Sequence, residues 1–267
     1  MKLNIRNVVP NLLKRGNLKV IARKVWVRLF DPRRRAIKDA RQWYLANAID
    51  FNTIFRSKDA LLQEAIEWDN EFTLKAAEIL EELDVKLGGG GNCALLYYLV
   101  RRFKPNVVVE TGVAAGFSSQ TILRGLYLNG RGRLYSSDFP YFRLENPEKY
   151  IGILVEENFR AEWRLFIEGD SRNLTFIKQE LGDQKIELFH YDSDKSYIGR
   201  QSTWHYVESM LASDAVVVFD DIIDNSHFKD LIISRPDLHF GIIAYRNKLV
   251  GIFSKDRNQI SFFLNSN

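Results

Sequence analysis

The residues with the strongest chemical demand in this 267-residue chain are Asp192-Ser193-Asp194-Lys195 and the pair Asp220-Asp221. Each group follows a short apolar run that reads as a β-strand, Ile186 to Tyr191 and Ala215 to Phe219. Four carboxylates at the ends of neighbouring strands repel one another unless something compensates them. A hard divalent cation with oxygen ligands is the economical compensation, and Mg²⁺ is typically held by a few carboxylates plus water and substrate. Lys195 beside such a cation could lose its proton more readily and serve as a general base. The plainer alternative pairs Lys195 with Asp194 and makes Asp221 the cap of the next helix.

A second group surrounds Glu110-Thr111-Gly112-Val113-Ala114-Ala115-Gly116-Phe117-Ser118-Ser119, between the strand Val107 to Val109 and a helix. Small residues let a ligand approach the backbone there, and the helix N-terminus offers unpaired N–H groups to a carboxylate or phosphate. The spacing is G-x-x-x-G, not the G-x-G-x-x-G of a dinucleotide fingerprint. Asp138 ends the next strand, where an acid suits ribose hydroxyls. Gly169-Asp170-Ser171 follows the third strand and could also cap the helix after it. His190 in a strand, His205 in a helix, Trp163, Trp204 and Cys93 read as structural residues, whereas His227 could reach a substrate.

The elements that must position these groups alternate. Strands at 107–109, 133–137, 163–167, 186–191 and 215–219 are interleaved with helical patterns at about 117–128, 146–160, 172–181 and 198–212. Such alternation implies right-handed crossovers and a mostly parallel sheet covered on both faces. Phe240 to Tyr245 and Leu249 to Ser254 leave no room for a helix between them and must form an antiparallel hairpin. The expected fold is α/β and Rossmann-like, a doubly wound seven-stranded sheet closed by that hairpin. Helical stretches at about 11–30, 35–50 and 58–84, then Gly88 to Gly91 and a helix over Ala94 to Phe103, precede the first strand. We divide the chain into a basic helical segment, 1–87, and a ligand-binding domain, 88–267.

Composition narrows the classes. The chain is 46% hydrophobic and 27% charged, which excludes wholesale disorder. One cysteine excludes an intramolecular disulfide and a thiolate metal cage. No apolar run approaches the roughly 18 residues of a membrane span, and no secretory signal is evident, so a cytoplasmic protein is expected. The net charge of +4 is uneven: residues 1–41 hold 13 Lys and Arg against Asp31 and Asp39, leaving 25 basic against 32 acidic residues elsewhere.

Taken together, these residues resemble the class I S-adenosylmethionine (SAM)-dependent methyltransferases over roughly 88–255. The resemblance implies that Glu110, Gly112, Gly116 and Ser118 belong to the turn that holds the methionine part of the cofactor. It implies Asp138 for the ribose, Gly169, Asp170 and Ser171 near adenine, and Asp192 at the cofactor's edge. Asp192-Ser193-Asp194-Lys195 resembles the D-x-D-K signature of cation-dependent O-methyltransferases acting on catechols and caffeoyl-coenzyme A. That implies Asp192, Asp220 and Asp221 as ligands of Mg²⁺ or another divalent cation, with Lys195 as base and Asp192 beside it in catalysis. Asp221 stands where those enzymes carry Asn. The Asp-Asp pair is similar instead to a bacterial group that methylates sugars of natural products, in which His more often follows D-x-D.

The expected activity is methyl transfer to a hydroxyl of a small molecule, a sugar or natural product first and a catechol second. The basic arm leaves an RNA methyltransferase open as an alternative, since phosphates attract Lys and Arg clusters; a non-catalytic cofactor-binding module is another. An NAD-dependent dehydrogenase would want a third glycine and leaves the clustered acids unexplained. The arm also suits an anionic surface at the inner face of a membrane, because its charges alternate with Leu, Val, Ile and Trp26; packing on the domain or on a second subunit is the other reading. Membrane docking predicts binding to anionic vesicles that disappears when residues 1–41 are deleted, and equal binding without them would end it.

Overall fold

The computed structural model describes residues 18, 20–22, 26, 37–54, 59–83, 87, 89–141, 144–246 and 248–263. Most of the basic arm therefore lies outside the described residues; Leu18, Val20, Ile21, Ala22 and Trp26 are helical. Among the described residues no helix is long and apolar enough to cross a membrane.

In chain order the elements are α1 (Ile37–Asn47), β1 (Ala48–Asp50), α2 (Phe51–Ile54), α3 (Ala60–Glu82), α4 (Cys93–Phe103), β2 (Val107–Thr111) and α5 (Phe117–Asn129). Then come β3 (Arg133–Ser137), β4 (Trp163–Phe166), α6 (Asp170–Leu181), β5 (Ile186–Tyr191), α7 (Tyr197–Val207) and β6 (Leu211–Phe219). The chain closes with α8 (His227–Ser234), β7 (His239–Tyr245), β8 (Lys248–Ser254) and α9 (Arg257–Ile260). The sheet runs β1-β7-β8-β6-β5-β2-β3-β4. All pairs are parallel except β6 with β8 and β7 with β8, the expected hairpin.

The β-branched strands are buried on both faces, as a parallel sheet between helical layers requires. Val108, Leu188, Val216 and Val218 join one core with residues of α3, α4 and α5. Val107, Val109, Phe189, Val217 and Phe219 join the other with residues of α1, α6, α7 and α8. Phe51, Ile54, Leu62 and Ala65 belong to the first of these cores, so the helices before the glycine run share the sheet's interior.

Three expectations about elements are corrected. The sheet has eight strands, because Ala48 to Asp50 leaves the helical stretch and pairs parallel with Ile242 to Ala244 at the edge. Residues 146–160 are not one helix but two 3₁₀ turns, Pro147–Tyr150 and Glu157–Glu162. Between them Gly152 has φ +65°, and a Cβ there would run into the Trp163 ring. The backbone N–H groups of Gly152 and Leu154 donate to the carbonyls of Ala114 and Ala115 at 2.9 Å each, bonds that a continuous helix would forgo. Finally, the helix after β5 ends at Val207, and β6 starts four residues earlier than its apolar core suggests, at Leu211.

The order of strands reverses between β5 and β2, which leaves a crevice beyond their carboxyl ends. The end of β6, which bears Asp220 and Asp221, is braced by a residue without a sequence signal. Arg200 of α7 is fully buried and donates through Nη2 to the carbonyls of Asp220 at 2.8 Å and Asp221 at 2.9 Å. Its guanidinium lies over the Tyr191 and Phe219 rings, 5.4 and 5.7 Å from their centroids. Replacing Arg200→Met leaves the Asp220 carbonyl without a donor and the Asp221 carbonyl with only the Asp224 N–H at 3.3 Å, which is expected to cost about 1–3 kcal/mol, read as a lower urea midpoint. An unchanged or higher midpoint would mean that burying the charge costs as much as its bonds return.

Candidate active site

The turn after β2 is held from below and from one side. Glu110 is fully buried, and its Oε2 accepts from the hydroxyls of Ser119 at 2.6 Å and Ser136 at 2.9 Å. Its Oε1 stands 3.5 Å from Nδ1 of His190. Asp138, at the end of β3, accepts from the N–H groups of Val113 at 3.2 Å and Ala114 at 2.7 Å. Gly112 has φ +89° and Gly116 φ +100°, a region where a side chain is strained. A Cβ at Gly112 would overlap the carbonyl oxygen of Asp192, so glycine is what lets the ends of β2 and β5 meet.

Beyond these ends lies a cavity of about 590 Å³, within the range of small-molecule sites. Gly112, Ser118, Asp138, Gly169, Asp170, Ser171 and Asp192 line it, which brings together most of the residues singled out in the sequence. Glu110 and Gly116 do not line it: the first lies beneath the turn, the second forms the N-cap of α5. Asp170 is the first residue of α6, with Gly169 at the cap position, and its carboxylate accepts from Ser137 at 2.6 Å. Val20 and Ile21 of the arm also line the cavity, on the side of Gly169 and Phe139. Gly89 and Gly91 are part of its wall, and the absence of a side chain at Gly91 leaves room for the Asp220 carboxylate.

Asp192 of the cavity wall and Asp220 and Asp221, which with Lys195 do not line it, each offer a carboxylate, and the three acids' oxygens lie within 4.8 Å of one another. Asp194 also lines the cavity but does not join the trio, its Oδ1 accepting from Ser196 N at 3.0 Å at the start of α7. Lys195 therefore pairs not with Asp194 but with Asp192, and with Asp221 at 3.0 Å. Asp221 makes no helix-capping bond; it sits in the left-handed region at φ +49°. Burial lowers the Lys195 pKa from the ordinary lysine value, against the opposing pull of Asp221 and Asp220. Burial works against ionisation of Asp221, but the ammonium groups of Lys195 and Lys248 bring it below the usual carboxylate range.

Lys248 is the residue that the sequence reading missed. It opens β8 and reaches Asp220 and Asp221, at 3.3 Å each. A signal existed: β8 must run back antiparallel to β6, so its first residues return to the edge where the strand-end acids stand. The donor set fits a hard cation, with three carboxylates converging and Oδ1 of the buried Asp220 lacking any hydrogen-bond partner. The remaining candidates are structural. His190 is buried beside Glu110, and His227 is buried against the Tyr197 and Phe219 rings and does not line the cavity. Trp163 and Trp204 are core residues, and burial pushes the Cys93 thiol up to about 12.

Residues 109–222 match the family described as methyltransferase domain. No curated protein matches the chain. The O-methyltransferase of Bacillus cereus, solved in complex with SAH, superposes with a TM-score of 0.51 at 16% identity over 74% of this chain and 92% of that one. The O-methyltransferase TomG of Streptomyces achromogenes, involved in tomaymycin synthesis and solved with SAM, gives 0.54 at 16% identity over 74% and 91%. A methyltransferase from Geobacter sulfurreducens gives 0.52 at 16% identity over 69% and 88%. The chain thus shares its fold with these methyltransferases, and its residues 109–222 are similar to the methyltransferase-domain family.

Proposed function

We propose that the protein is a SAM-dependent, divalent-cation-dependent O-methyltransferase acting on a hydroxyl of a small molecule. One observation carries this reading: three carboxylates and a lysine converge beside the cavity formed where the strand order reverses, with Asp192 of that group in its wall. When bound, SAM supplies an activated methyl group and the cation favours the ionised form of the acceptor oxygen. Asp192, Asp220 and Asp221 would hold the cation. Asp138 and the Gly112 turn would hold the cofactor, with Gly169, Asp170 and Ser171 beside them and Glu110, Gly116 and Ser118 shaping the turn. Lys195 would take the acceptor's proton on Nζ, a role to which its burial is suited. The chain's own contribution is chiefly alignment of acceptor and cofactor for in-line displacement.

For the acceptor, a sugar or polyhydroxylated natural product comes before a catechol. The Asp220-Asp221 pair supports that order, as does the likeness to an enzyme of natural-product synthesis. We place the acceptor pocket under the residues that precede β2, because Gly89 and Gly91 already reach the cavity. An RNA acceptor or a non-catalytic module explains the carboxylate cluster less well. Exposed Leu18 and Trp26 support contact of the arm with a membrane surface.

Calorimetric titration with SAH and with NAD, each with and without Mg²⁺, tests the cofactor. Micromolar or tighter binding of SAH alone is expected, and no SAH binding under any condition would break the reading. Lys195→Ala should lose turnover by a factor of about 10² or more with SAH binding intact, and unchanged turnover would remove its role as base. Asp192→Ala should lose activity and metal dependence together, whereas an active, metal-free variant would refute the cation site.

A further inference from the structure

We propose that Lys248 is a built-in counter-ion of Asp220 and Asp221 which a divalent cation must displace, so that the closing hairpin sets the affinity of the metal site. This inference rests on the cation-dependent reading of the site given above.

The geometry gives Lys248 a place that Lys195 does not take. Lys195 pairs with Asp192 and Asp221, whereas Lys248 bridges Asp221 and Asp220 at 3.3 Å each. Asp220 is the most buried of the three carboxylates, at 2% exposure, and only its Oδ1 is left without a hydrogen-bond partner. A cation shared by Asp220 and Asp221 needs direct contact with their oxygens, at about 2.0–2.6 Å for Mg²⁺ or Ca²⁺. The Lys248 ammonium uses the same two carboxylates, and its positive charge repels any cation held beside it.

The root of Lys248 is fixed while its end lies partly open to solvent. Tyr245 donates its hydroxyl to the buried Asp69 of α3, and Arg246 pairs with the same carboxylate at 3.2 Å. These two contacts clamp the tip of the hairpin from which Lys248 emerges. Its side chain is about one-third exposed, which leaves the ammonium a route to solvent when a cation arrives. Arriving cations therefore exchange one positive charge for two, without any movement of the strands.

The test is Mn²⁺ binding to the whole 267-residue chain, followed by electron paramagnetic resonance, for the unaltered protein, Lys248→Met, Lys248→Gln and Lys248→Arg. A unit charge a few ångströms from the ion weakens binding by at least about tenfold, even at an effective dielectric of about 20. Both uncharged variants are therefore expected to bind Mn²⁺ at least about tenfold more tightly, and Lys248→Arg to stay near the unaltered protein. If the unaltered protein binds Mn²⁺ and the uncharged variants bind it equally or more weakly, the inference is overturned and the metal reading stands. Equal tightening by Lys248→Arg would also overturn it, since charge would then not be the cause. Absence of Mn²⁺ binding by every protein would overturn the cation site itself, and this inference with it.

Discussion

Like charge at the carboxyl ends of β5 and β6 sets the terms on which the site is built. Three carboxylates with oxygens within 4.8 Å of one another repel unless positive charge stands among them. The chain brings that charge from two distant segments, Lys195 after β5 and Lys248 from the hairpin, and adds Arg200 on the backbone carbonyls beneath. Each has its own brace. The carbonyl of Lys195 accepts from Asn225 at 2.8 Å, and the carbonyl of Asn225 accepts from the hydroxyl of the fully buried Tyr44 in α1, also at 2.8 Å. An N-terminal helix thus holds the lysine of the site through one intermediate residue.

Close approach of backbones is the second requirement. Gly112 passes the Asp192 carbonyl, Gly116 passes Gly152, and Gly91 passes the Asp220 carboxylate, each at a spacing that a side chain would obstruct. The glycine run before α4 therefore belongs to the same construction as the turn after β2, though some 20 residues separate them in sequence. Asn173 closes the far side: its Nδ2 donates to Ser137 Oγ and to the carbonyls of Asp138 and Phe166, tying β3, β4 and α6 together.

Much of this was legible in the sequence, for reasons that particular residues make plain. Val107 to Val109 and Val216 to Val218 read as interior strands, and the gap between the last two apolar runs is too short for anything but a hairpin connection. The acids were legible because strand ends were. β1 was not, because three residues after a helix carry no periodicity and pair only with a strand nearly 200 residues away. Arg200 was not, because what buries it is the meeting of α7 with β5 and β6, a tertiary fact with no local trace. That Asp194 faces α7 while Asp192 faces Asp221 follows from the course of the turn, which composition does not specify.

The failure of the helical reading at 146–160 has the same origin as the support of the turn after β2. Glu110 accepts from Ser136, and Ser136 Oγ in turn accepts from Trp163 Nε1 at 2.9 Å. The Trp163 ring fills the space where Gly152 lacks a side chain, and Gly152 and Leu154 donate to Ala114 and Ala115 within the turn itself. The contacts form a closed circuit, from the acid under the turn, through a serine and a tryptophan, to the loop beside it. Residues that would otherwise satisfy one another in a helix give their N–H groups to the turn instead. Glu110 consequently acts on the cavity through the shape of the turn above it, and the 3₁₀ segments are the other half of that support.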